Sequence, residues 1–347
     1  MSKKVINLIG AMTIGGSLLS TSVAIAADQV NIYSYRQPDL IAPLLEAFTK
    51  ETGIKTQVQF LKKGMVEKLK AEGANSPADV ILTVDIGRLS SINNEGLTQS
   101  VTNDTINGNI PANYRDPSGN WFGLTTRGRV VYASKDRVSQ DKITYEDLAD
   151  PKWKGKICTR SGQHAYNVAL IASMIANKGA EFTENWLTGV KENLARVPDG
   201  NDRAQAKGIF SGECDLGIGN TYYVGLMQNN EKDPEQKEWA KSIKVLFPNS
   251  EDRGTHVNLS GMALAKHAPH KEAAIKLMEF LSSGKAQEIY AEQVYEYPVK
   301  PGTNPSATVA GFGDIKPDTL SLDEIAKLRK QASQLVDKVG YDDGPSS

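Results

Sequence analysis

The residues of this chain best suited to chemistry are tyrosines placed where strands give way to helices. Tyr222 and Tyr223 follow Gly219-Asn220-Thr221, at the end of an apolar strand pattern over 215–219. Within a strand, neighbouring side chains point to opposite faces. Here Asn220 or Thr221 has the chemistry of an N-cap, so the pair opens a helix and both rings can lean into one cleft. Tyr166 stands in the same kind of place, after a short strand over 156–159 and a polar loop. Tyr33 and Tyr35 end the first strand, 30–35, and share one of its faces, so at most one reaches the mouth. Helix N-termini favour negative charge. A phenol ordinarily ionises near pH ~10, but a bound hard cation inverts that preference. Three phenolates neutralise a trivalent ion, and oxygen donors suit hard ions where thiolates and imidazoles suit softer ones. Spacing alone also fits two other readings: plain packing, or an aromatic wall for a sugar or amine.

Arg127 and Arg129 lie two apart in an extended run, on one side of a strand. They could hold an anion that completes a metal's coordination, or pair with surface acids. Arg36, beside the first turn, is a third candidate. No catalytic set accompanies them. The four histidines, 164, 256, 267 and 270, lack metal spacing, and His267 and His270 flank a proline and are expected to face solvent. There is neither a G-x-S-x-G elbow nor a phosphate-binding G-x-x-x-x-G-K-[ST] loop. The Gly217-Ile218-Gly219 stretch is expected to let a helix pack closely. The chain is therefore read as a non-enzyme.

Behind these residues stands a chain of 347 residues with 40 Lys+Arg, 41 Asp+Glu and a formal net charge of −1. That balance gives no electrostatic footprint for nucleic acid or an acidic membrane. Lys3 and Lys4 precede an uncharged apolar stretch and a small-residue Ala24-Ile25-Ala26 site. Residues 1–26 are accordingly read as a cleaved signal peptide, which sends the protein to the periplasm. No later stretch reaches the ~20 apolar residues of a span, so the exported chain is expected not to be membrane-embedded. Cys158 and Cys214 are the only cysteines. In an oxidising compartment they suggest one bridge, the alternative being two separate buried thiols.

Units of strand, turn and helix recur along the chain. A strand at 30–35 meets the breaker 36–38, and a helix from Asp39 carries Leu40, Ile41, Leu44, Leu45 and Phe48 on one stripe. Strands follow at 55–61 and 78–83, with a helix at 65–72 between them. After the extended run 122–134 a second set begins, with helices at 166–177 and 182–194 and strands at 215–219 and 243–247. A strand at 257–266, a helix at 271–282 and one long helix at 320–339 close the pattern. This is an α/β class with two similar lobes. Residues 28–122 plus about 255–310 form the N-terminal lobe, 123–248 the C-terminal lobe, and 318–341 a C-terminal helix. Two crossing strands would join the lobes as a hinge, with the ligand cleft between them.

With these residues in view, the chain resembles the periplasmic ferric-iron-binding proteins of ABC importers, the FbpA/FutA type. The resemblance runs through residues 31–36, 78–83, 126–132, 153–156, 258–261 and 265–268, and above all Gly219-Asn-Thr-Tyr-Tyr-Val-Gly225. It implies a class II periplasmic binding-protein fold. It further implies capture of Fe3+ by phenolates, carbonate or another synergistic anion, delivery to an inner-membrane ABC permease, and a monomeric carrier. Tyr166, Tyr222 and Tyr223 match the second-lobe ligands, and Arg127 or Arg129 the region where some members hold carbonate. Many relatives have His-Tyr where this chain has Gln37-Pro38. The first-lobe ligand is therefore expected to be Tyr35, or a water or anion held by Arg36. A binding protein for an organic or oxyanion ligand on the same fold is the alternative.

Overall fold

The computed structural model describes residues 29–346; the expected signal peptide at 1–26 lies outside the described residues. The chain runs β1 (Gln29–Ser34), α1 (Pro38–Thr52), β2 (Lys55–Phe60), α2 (Met65–Glu72), β3 (Val80–Thr83), α3 (Ile86–Asn94), β4 (Thr98–Gln99), α4 (Asp104–Asn109) and β5 (Phe122–Ser134). It continues with β6 (Ile157–Cys158), α5 (Ala165–Lys178), α6 (Ala180–Glu192), α7 (Asp202–Phe210), β7 (Leu216–Asn220), α8 (Thr221–Gln228), α9 (Glu235–Ser242), β8 (Ile243–Leu246) and β9 (Val257–Ala265). It ends with α10 (Lys271–Ser282), α11 (Gly284–Val294), β10 (Tyr297–Pro298), α12 (Ala307–Ala310), α13 (Leu322–Lys327) and α14 (Arg329–Val339).

Burial explains the strands. β3, Val-Ile-Leu-Thr, is buried along its whole length, as a strand covered on both faces must be. β2 alternates exposed and half-buried residues at the sheet's edge. In the first lobe β2, β1 and β3 run parallel, and β9 and then the first half of β5 join antiparallel. In the second lobe β6 pairs parallel with β7, while the last part of β5 runs antiparallel between β7 and β8. The chain is thus an α/β protein of two lobes that share one strand.

β5 pairs with β9 up to Gly128 and with β7 from Arg129 onward, so the changeover falls six residues beyond the expected 122/123 boundary. The second crossing is the segment between β8 and β9. A third connection was not foreseen: α13 packs on both α3 and α5, and α14 on α5 and α6. The single helix expected over 320–339 is two, parted at Leu328. Pro38, expected to break the chain, is instead the first residue of α1, where a missing N–H costs nothing.

Cys158 and Cys214 are bridged, their Cα atoms 5.8 Å apart. The bridge ties the end of β6 to the loop before β7, and both sulfurs are buried beside α7. Gly217 admits that same helix, since a Cβ there would lie 3.1 Å from Gln205 Cβ. No helix among the described residues is long and apolar enough to cross a membrane.

Candidate functional site

A cleft of about 390 Å³ lies between the lobes. Tyr35, Arg36, Gln37 and Glu296 line it from the first lobe, Tyr166, Tyr222, Tyr223 and Arg203 from the second, and Arg127 from the shared strand. Tyr166 is the second residue of α5. The chain turns into that helix at His164, whose Nδ1 accepts the Tyr166 amide at 3.2 Å. Acceptance requires the neutral imidazole. Burial, with Arg160 and Arg129 adding to it, lowers the His164 pKa to about 4. Tyr222 and Tyr223 are the second and third residues of α8 and stack at a centroid distance of 4.4 Å. Asn220 takes the N-cap position, but its side chain makes no cap bond. It accepts instead from Arg129 at 3.0 Å.

The phenol oxygens of Tyr166 and Tyr222 lie 3.2 Å apart. An octahedron with metal–oxygen bonds of about 2.1 Å, as small hard cations use, has edges of about 3.0 Å. The two oxygens are thus spaced as neighbouring ligands of one ion. Burial pushes the Tyr222 phenol well above its ordinary value, and the nearby oxygens of Tyr166 and Tyr223 and the carboxylate of Asp202 push it further. Tyr223 is raised by burial and then by Asp202. Phenols this close cannot ionise together unless a cation enters.

The two candidate tyrosines of β1 part company. Tyr33 is buried in the core and donates to Glu72 at 2.8 Å, away from the cleft. Tyr35 reaches the cleft. Its oxygen accepts the Met65 amide at 3.0 Å, at the first turn of α2, and Arg88 lies 4.3 Å from its ring centroid.

The arginines part company as well. Arg127 lines the cleft and stands 5.9 Å from the Tyr166 ring centroid, its guanidinium donating to the Val84 carbonyl and to Ser260. Arg129 stands 6.0 Å from the same ring centroid. Its guanidinium is committed to Asp202 at 2.8 Å, Asn220 and Asn167, and it does not line the cleft. Arg36 lines the cleft but is clamped by Glu296 at 2.8 Å, Ser260 at 2.6 Å and Tyr290 at 3.0 Å. Burial works against the charge of Glu296, yet Arg36 and Arg127 hold its carboxyl below the usual range.

Sequence reasoning missed Glu296, Asp202, Arg160 and Arg203. Asp202 is fully buried and accepts from Arg129, Arg160 and the Asn220 amide at 2.8–3.1 Å. It thereby ties together the two junctions that carry Tyr166 and Tyr222. An N-cap signal at Asn201 announces α7, but nothing local announces that Asp202 faces inward. Arg203 stands 4.9 Å from the Tyr223 ring centroid. Among the histidines, His267 is exposed as expected. His270 is also exposed, yet its Nδ1 meets the buried Asp79 at 2.9 Å.

The fold and a cleft between two lobes define a solute-binding protein. Residues 33–288 match the family described as bacterial extracellular solute-binding protein, and the chain belongs to that family. It is 44% identical to iron uptake protein A1 of a Synechocystis strain, over 90% of this chain and 87% of that one. Among solved structures, a Bordetella ferric binding protein superposes with a TM-score of 0.86 at 53% identity, covering 91% of this chain and 100% of the other. A Trichodesmium IdiA (FutA) structure in complex with iron and citrate ligands superposes with a TM-score of 0.86 at 43% identity, covering 90% and 99%.

Proposed function

We propose that this protein captures ferric iron in the periplasm and hands it to an inner-membrane ABC permease, without itself catalysing a reaction. The observation that carries the reading is the 3.2 Å separation of the Tyr166 and Tyr222 oxygens, with Tyr223 stacked beside them. Those three phenols are the second-lobe ligands. Tyr35 is the first-lobe ligand, its oxygen held toward the cleft by the Met65 amide. The names of the relatives, iron uptake and ferric binding proteins, support the choice of ion.

An anion accompanies the iron. Arg36, Lys62, Arg127 and Arg203 line the cleft, against the single carboxylate of Glu296, which is already paired with Arg36. The excess positive charge suits carbonate, or a larger carboxylate such as the citrate found with iron in the Trichodesmium structure. Arg127 is the residue placed to hold it. Arg129 supports the site from behind through Asp202, Asn167 and Asn220. Only a closed cleft lets both lobes touch the ion, so binding draws the lobes together.

Ferric citrate added to the purified, metal-free protein tests the reading. Phenolate-to-iron charge transfer is expected to colour it red to orange, and Tyr222→Phe/Tyr223→Phe to abolish the colour. An organic ligand stacked on these rings survives loss of the hydroxyls. A protein that stays colourless, or a double variant that keeps its ligand, refutes the proposal.

A further inference from the structure

The motif that ends at Gly225 contains residues the iron site does not use, among them Gly225 itself. It lies inside α8, one turn beyond Tyr222, where glycine is a poorer helix former than alanine. Its surroundings give a reason. A Cβ at this position would fall 2.6 Å from Tyr295 Cβ and 2.9 Å from Tyr295 Cδ1, and closer still to Cγ. Carbon atoms in contact need about 3.5–4.0 Å, so no other residue fits without moving the ring by about 1 Å.

Tyr295 comes from the opposite lobe. It caps α11, which packs on α1, and it directly precedes β10, which pairs with the first-lobe half of β5. Its backbone is left-handed, with φ 56 and ψ 39. Among the described residues only Asn249 is another non-glycine with positive φ. For a bulky aromatic residue this conformation is strained, and it persists only where the surroundings impose it. The neighbours on both sides of the contact belong to the cleft. Glu296, next to Tyr295, clamps Arg36, and Leu226, next to Gly225, lines the cleft wall.

We propose that Tyr295 is a positioning residue for the metal site. Its ring, seated on the bare backbone of Gly225, is the contact through which the first lobe sets the angle of α8 and so aims Tyr222 and Tyr223. The inference rests on the ferric reading, because the tyrosines it aims are the proposed ligands. Tyr295 does not line the cleft. Its effect reaches the ion through the first turn of α8.

Transfer of iron from the loaded protein to a competing chelator, followed by loss of the visible band, tests this. The unaltered protein must first take up colour with ferric citrate; a colourless protein defeats the ferric reading itself and is recognised before any variant is made. Gly225→Ala is expected to release iron at least tenfold faster, about 1.4 kcal/mol. Tyr295→Ala is expected to release faster too, while still taking up colour. Because the clash has been removed, Gly225→Ala/Tyr295→Ala should release no faster than Tyr295→Ala alone. That rescue separates a ring-on-backbone seat from a general loss of packing. Release at the unaltered rate in both single variants overturns the proposal. So does unaltered release from Tyr295→Ala, whatever Gly225→Ala does, and so does a double variant that releases faster than Tyr295→Ala. Should Gly225→Ala fail to fold, Tyr295→Ala decides alone: tenfold faster release supports the seat, and unaltered release overturns it.

Discussion

Replacing Tyr222 by Phe should change the number of protons released when iron binds, and the structure fixes both sign and size. The Tyr222 phenol is raised well above its ordinary value by burial and by its phenolic neighbours. At pH 7 it is therefore protonated, and ionising even an unperturbed phenol there costs about 4 kcal/mol, three units at about 1.36 kcal/mol each. In the proposed site the metal has to supply at least that much at this one residue. Acid competes with iron for the same oxygen, so affinity falls as pH falls. The logarithm of the apparent binding constant gains one unit per pH unit for each phenol that ionises. Removing Tyr222 lowers that slope by one and the proton count in a pH-stat titration by one. It also removes an anionic ligand. If a metal-binding energy of about 10–16 kcal/mol, the range of structural zinc sites, is shared over four ligands, the loss is roughly 2.5–4 kcal/mol, or about two to three orders of magnitude in affinity. The assay is iron uptake from a chelate of known stability between about pH 6.5 and 8.5, with protons counted and the chelate's own titration subtracted. A Tyr222→Phe protein that releases as many protons as the unaltered one refutes the reasoning, whatever happens to its affinity.

Two further outcomes follow from buried charge. Asp202→Asn removes the carboxylate that Arg129 and Arg160 share. Breaking a buried pair from one side typically costs about 3–5 kcal/mol, and urea unfolding of the metal-free variant should show a loss of that order; an unchanged midpoint would mean the guanidiniums find other partners. His256, buried in the second crossing, has its pKa lowered to about 3, first by burial and then by Arg129, with Arg329 and Arg127 adding and Asp85 opposing. The unfolded chain binds this proton near pH ~6.5. Between those values the unfolded state holds more protons than the folded one, so stability falls as pH drops from about 6.5 toward 3, by up to about 5 kcal/mol. His256→Gln should flatten that part of the stability profile measured by thermal melting, and an unchanged profile would place the acid sensitivity elsewhere.

What could be read from the chain, and what could not, divides by the range of the interactions involved. The tyrosine junctions were legible because strand endings, caps and amphipathic stripes are local signals. β5 was legible over its full length, Phe122–Ser134, because thirteen residues of extended pattern with no helix period leave no alternative. The break at Leu328 was not legible, since no Gly or Pro marks it. It arises because α13 must lie on α3 and α5 while α14 follows α5 and α6. α11 was hidden because it begins directly after α10, separated only by the cap Ser283. The two arginines of β5 looked equivalent at a spacing of two. What separates them is Asp202, 73 residues later in the chain, and no local pattern announces a partner at that distance.

The same long-range pairs explain how the site can be both positively charged and built to hold a cation. A trivalent ion approached only by guanidiniums would be repelled, and one approached only by carboxylates, already ionised at neutral pH, would meet no cost of ionising its ligands and no proton competition there. Here the permanent negative charges are already paired, Glu296 with Arg36 at the cleft wall and Asp202 behind it with Arg129 and Arg160. Asp202 raises the Tyr222 and Tyr223 phenols rather than lowering them. The Tyr222 and Tyr223 phenols of the proposed site are therefore neutral until the ion arrives, and the uncompensated cations at the cleft wall demand an anion in its company. Binding is then conditional on three events at once: loss of phenolic protons, entry of an anion, and approach of the first lobe. Each can be reversed separately, by acid, by loss of the anion or by opening of the lobes, and that gives a carrier several routes to surrender an ion it holds tightly.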